Sequence, residues 1–186
     1  MERLTFASPT ATVAGRTLSG IAHAFGTVSK HGGHSVAFSA QAFSDALKTS
    51  DVYAFFGHDP NRILGHEKAN TVRLAVVPEG LSYEIDLPDT NDGRDTATLV
   101  ERGDLNSMSF GIIPGKYTTS ALPAGGGQLR TYQSMELFDI SPVSMPAFSG
   151  TSIQLHSADT GRARRVAASN LIRARIGARS INKETN

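Results

Sequence analysis

The apolar residues of this chain come in short runs closed off by Gly, Ser, Asp and Pro, and that punctuation limits what it can fold into. Residues 18–28 and 52–56 are such runs, and their spacing is that of strands. Residues 71–77 and 81–87 form an expected hairpin, because Pro78-Glu79-Gly80 between them is turn chemistry. From Ser107 to Ile113 the chain alternates. Ser107, Ser109 and Gly111 face one way while Met108, Phe110 and Ile112 face the other. Residues 129–144 read as a second long β segment, with the Gly-rich stretch 121–128 as a loop before it. Two helices interrupt the strands. Residues 42–49 gather Ala42, Phe43, Ala46 and Leu47 on one face, with Ser39 or Ser44 as the cap. Residues 91–102 carry Ala97, Val100 and Glu101 at helical spacing after an Asp-rich start. The expectation is an α+β domain around a mainly antiparallel β core.

At 186 residues the chain has the length of one domain with room for a tail. Charge marks the division. Residues 157–186 hold seven basic and two acidic side chains, a net of +5, against eleven basic and fifteen acidic in the rest, a net of −4. We expect a body over 1–156 and a basic tail over 157–186, either weakly amphipathic helix or disordered chain. With no Cys, disulfides, zinc–thiolate sites and thiol nucleophiles are excluded. No apolar run approaches the roughly 20 residues of a membrane span. The opening MERLTFASPT lacks the apolar core of a signal peptide, so the expected location is the cytoplasm where the chain is made.

Three segments hold candidates for chemistry. Phe55-Phe56-Gly57-His58-Asp59-Pro60 sets a histidine at the end of an apolar strand, and histidine moves protons near neutral pH. Its local alternative is a turn, with Asp59-Pro60-Asn61 reversing the chain and His58 exposed. The run from Arg102 to Gly111 offers Ser109. A serine hydroxyl needs a base beside it to become a nucleophile, and Gly111 on the same face would leave room for a substrate backbone. No Gly stands two residues before Ser109, so the nucleophile elbow of α/β-hydrolases is not present. The local alternative is a strand whose serines face water. The run from Leu137 to Ala147 offers Asp139, expected opposite Phe138 and Ile140, where a carboxylate could orient His58. Its alternative is an edge-strand Asp with no partner, in keeping with two nearby prolines. His31, His34 and the pair His58 and His66 suggest no metal site without Cys or a helical H-E-x-x-H, and no nucleotide-binding Gly motif occurs.

In order and spacing these segments resemble the prohead proteases of tailed bacteriophages. The likeness lies in Gly57-His58-Asp59-Pro60 with Ile63-Leu64-Gly65, in the string from Gly80 to Thr90, in Arg102-Gly103-Asp104 leading to Met108-Ser109-Phe110-Gly111, and in Asp139-Ile140-Ser141-Pro142-Val143 ending at Met145-Pro146-Ala147. It covers roughly residues 15–150. The resemblance implies a serine endopeptidase with a fold like that of the herpesvirus assembly protease, built on a β core or barrel. It implies cleavage of scaffold, or of the scaffolding segment of the major capsid protein, and of the chain itself, inside the assembling procapsid in the bacterial host cytoplasm. The family His falls on His58 and the family Ser on Ser109. Where the family commonly has Glu, this chain has Asp139, with Glu136 as the fallback three positions earlier. Gly57 replaces the usual Asn.

We expect no cofactor and no membrane partner. The tail's basic patch lies at one end without interleaved aromatics, so no specific nucleic acid is expected, and a homo-oligomer stays open. The other reading is a non-catalytic capsid-assembly module with a basic partner-binding tail. The hydrolase reading expects His58 and Ser109 on neighbouring strands and on one face of a sheet. Donors for an oxyanion are sought near residues 102–107 or in a Gly-rich loop.

Overall fold

In a computed structural model, residues 4–8, 12–14, 17–31, 33–122 and 127–144 are described. The tail expected over 157–186 and Met145-Pro146-Ala147 lie outside them. In chain order the elements are β1 (Leu4–Ser8), β2 (Thr12–Ala14), β3 (Thr17–Ala24), β4 (Ser29–His31), β5 (His34–Phe38) and α1 (Ala40–Thr49). Then come β6 (Tyr53–Phe56), β7 (Asp59–His66), a 3₁₀ turn (Glu67–Ala69), β8 (Val72–Val77), β9 (Gly80–Asp86) and α2 (Asn91–Arg102). The last are β10 (Ser107–Pro114), β11 (Tyr117–Ala121), β12 (Gln128–Tyr132) and β13 (Met135–Val143). The strands form three sheets, ordered β1-β10-β13-β6-β7, β11-β12-β5-β4 and β2-β3-β9-β8. Only β12–β5 and β13–β6 pair in parallel among these ladders. The architecture is α+β and mostly strand.

Local chemistry accounts for the element ends. Ser39, not Ser44, caps α1, its Oγ accepting from the Ala42 N–H at 3.1 Å. Thr90 caps α2 in the same way through Gly93, and the helix closes on left-handed Gly103. Its inward stripe is Gly93, Thr96 and Val100, so Glu101 faces solvent rather than sharing that face. The expected hairpin is present as β8 and β9, with Val77 paired to Gly80.

Two expected segments divide. The run over 18–28 ends as a strand at Ala24, and β4 starts only at Ser29. The run over 129–144 breaks at Gln133 and Ser134, whose N–H groups both reach the Lys116 carbonyl. That corner passes the chain from the sheet of β12 to the sheet of β13.

The core joins all three sheets through rings. Phe110 of β10, Phe38 of β5, His23 of β3 and Phe43 of α1 meet with centroids 5.3 to 5.8 Å apart. Tyr132 of β12 stacks on Phe38 at 5.4 Å. Such pairs contribute about 0.5–1.5 kcal/mol each beyond the area they bury. Met108, Phe110 and Ile112 all point into this core, so β10 is clamped on one side and presents its other face to the site.

Candidate active site

The site begins with a two-residue hairpin loop. Phe56 pairs with Asp59 across β6 and β7, leaving Gly57 and His58 as the reversal, with φ of 60° and 64°. Positive φ at both positions is the pattern of a type I′ turn, whose twist matches that of the flanking strands. Left-handed backbone costs a residue with a Cβ roughly 1–2 kcal/mol, so His58 must be held there. Two bonds from β13 hold it: the Gly57 N–H donates to the Pro142 carbonyl and the His58 N–H to Ser141 Oγ, both at 3.1 Å. The reversal therefore lies two residues before the expected Asp59-Pro60-Asn61. That segment keeps a smaller local turn, in which Asp59 Oδ1 accepts from the Asn61 N–H at 2.9 Å. Gly57 in place of Asn is neutral for the backbone, since both residue types accept the left-handed region.

His58 Nδ1 lies 2.7 Å from Asp139 Oδ1. A carboxylate accepts, so Nδ1 carries the proton and donates. Nε2 is then the basic nitrogen, and among the described residues it has no hydrogen-bond partner. Asp139 is 2% exposed, and a charge so buried requires partners. Its Oδ1 also accepts from Ser141 Oγ–H at 2.8 Å.

Asp139 reaches this position through a bulge. Gly111 pairs with Asp139 and Ile112 with Leu137, which leaves Phe138 as the extra residue on β13. Phe138 and Asp139 consequently lie over the same side of β10, not on opposite faces as simple alternation predicts. A Cβ on Gly111 would stand 2.1 Å from Asp139 Oδ2 and 2.5 Å from the Phe138 ring. The glycine makes room for these two side chains, not for a substrate backbone. The bulge also returns Glu136, paired with Ile113, to the face of Asp139. Glu136 nevertheless stays exposed, and Asp139 is the carboxylate bonded to His58.

Ser109 sits on β10 directly across from Ser141. Cross-strand partners share a face with Cβ atoms about 4.5–5.5 Å apart. Ser109, Ser141, Asp139 and the His58 turn therefore converge on one side of the sheet. The expectation of neighbouring strands is corrected: β13 lies between β10 and β6. No hydrogen bond joins the Ser109 hydroxyl to Nε2. Ser109 is 3% exposed, so it does not belong to a solvated strand face. Ser107, also buried, donates to Asn106 Oδ1.

The remaining histidines lie elsewhere. His31 and His34 face each other across β4 and β5, and His66 bonds Asp51 and stacks on Tyr53. Among the described residues no group of three His, Asp or Glu could hold a metal.

A family model described as the caudovirus prohead serine protease matches residues 4–165. The chain belongs to that family. It is a serine protease, and so a hydrolase. No curated protein and no solved structure matches it. A prohead serine protease requires an activatable hydroxyl and a base whose tautomer is fixed. The face described here holds both residue types, with the Asp139 carboxylate bonded to the histidine. Sequence reasoning quoted Ser141 within the string from Asp139 to Val143 but gave it no role.

Proposed function

We propose that the chain cleaves peptide bonds with Ser109 as nucleophile, His58 as general base and Asp139 as the carboxylate that orients the imidazole. The observation carrying this reading is the His58–Asp139 bond through Nδ1, which leaves Nε2 free on a face that Ser109 shares. Ser109 Oγ attacks the scissile carbonyl as Nε2 takes its proton. The tetrahedral intermediate then expels the amine, which receives that proton, and an acyl-enzyme remains. Water, deprotonated by the same nitrogen, attacks the acyl carbon and releases the second product. Asp139 steadies the imidazolium at each stage without itself taking the proton.

The substrate we infer is the phage scaffold, or the scaffolding segment of the major capsid protein, together with the chain itself. The setting is the assembling procapsid within the bacterial host, in keeping with the family's description. The finer fold we infer is a β barrel like that of the herpesvirus assembly protease, which the aromatic junction of three sheets favours and an experimental structure would test. The function is tested by incubating purified protein with scaffold. Ser109→Ala should abolish processing and keep the fold, while Ser107→Ala keeps most of the activity. Normal processing by the Ser109→Ala protein would move the nucleophile elsewhere.

A further inference from the structure

Ser141 is fully buried, and its hydroxyl is used twice. It donates to Asp139 Oδ1 at 2.8 Å and accepts from the His58 N–H at 3.1 Å. The first bond fixes the carboxylate rotamer and supplies a second donor to the oxygen that His58 also uses. The second helps hold the backbone of His58 in its left-handed conformation, which costs any residue with a Cβ. One hydroxyl thus ties the base to its carboxylate from behind, through main chain and side chain together. Its proton points to Asp139, on the Nδ1 side of the ring, and not toward Nε2, which is buried without a hydrogen-bond partner among the described residues. That geometry makes Ser141 unsuited to be the nucleophile, although it lies directly across from Ser109.

We propose that Ser141 is a positioning residue for the His58–Asp139 pair, setting where Nε2 points without touching substrate. The proposal rests on the triad reading above. Loss of an interaction that fixes a reacting group to within an ångström costs up to about 100-fold in rate.

The test uses the full chain, with scaffold as substrate and the His58 Nδ1 proton read by NMR. Ser141→Ala should fold, lower kcat about 10- to 100-fold at nearly constant KM, and lose the downfield Nδ1 proton signal to solvent exchange. Ser141→Thr, which keeps the hydroxyl, should restore both. A folded Ser141→Ala protein with unchanged kcat and an intact signal overturns the proposal, as does a covalent phosphonate adduct on Ser141. If the alanine variant fails to fold, Ser141→Cys replaces it, keeping the shape with a much weaker donor. A folded Cys variant with full kcat overturns the role, and one with lowered kcat and a lost signal supports it. The proton signal is also read in the Ser109→Ala background, which has no turnover on the triad reading. Failure of the triad and failure of Ser141 as its support therefore give different results.

Discussion

A carboxylate at the Asp139 position is stable only because donors meet it on one side and a missing Cβ clears the other. His58 and Ser141 supply the donors, and Gly111 supplies the space. Because His58 donates through Nδ1, its tautomer depends on the charge of Asp139. An amide there can present N–H where the carboxylate accepts, which turns Nδ1 into the acceptor and protonates the nitrogen that should act as base. With the proposed triad, Asp139→Asn should therefore lower kcat on the order of 10⁴-fold. Glu136→Gln should leave kcat within about twofold, since that side chain is exposed and outside the hydrogen-bonded set. Initial rates on scaffold for the two variants check both statements. Near-equal losses would mean that the carboxylates share the role.

The loop between β6 and β7 carries His58, the proposed base, and its backbone sets where the imidazole emerges. At Gly57 a Cβ would meet nothing within 4 Å, so substitution there costs only what the φ of 60° imposes. Gly57→Asn should keep activity within a few-fold, and Gly57→Val should lose most of it, because a β-branched residue resists this region. Kinetics and urea midpoints of the pair check the claim, and equal activity would show that the turn is not the constraint. Much at this scale was legible in the sequence. The α2 limits, the β8–β9 hairpin and the core face of β10 each follow from strong local periodicity or turn chemistry. The reversal at Gly57-His58 was obscured by the more conspicuous Asp59-Pro60-Asn61. The bulge at Phe138 leaves no mark in an apolar alternation, yet it decides which side chains share a face with Asp139. Strand β11 was missed because Tyr117–Ala121 is exposed throughout and has no alternation to read. The division at Gln133 and Ser134 depends on bonds to distant Lys116, a tertiary matter.

Across the whole molecule, the ring cluster that joins the three sheets has a histidine at its centre. Burial holds the His23 imidazole down to about 4 from its ordinary 6.5. The unfolded chain takes a proton there near 6.5, whereas the folded chain does so only near 4. Between those values the unfolded state binds more protons, so stability falls as pH falls through that window, by about 3 kcal/mol in all. Urea unfolding at pH 7 and pH 4.5 should show a clear loss, and His23→Leu should remove this part of the slope. An unchanged slope would place the titration elsewhere. The central claim is that one serine, Ser109, carried on a strand clamped by this core, is the group that the substrate acylates. The most direct measurement is to treat the active full-length protein with a fluorophosphonate and map the modified residue by mass spectrometry. The account predicts a single stoichiometric adduct on Ser109, formed at a rate that Asp139→Asn sharply reduces. An adduct on any other residue, or full proteolytic activity with Ser109 unmodified, would contradict it.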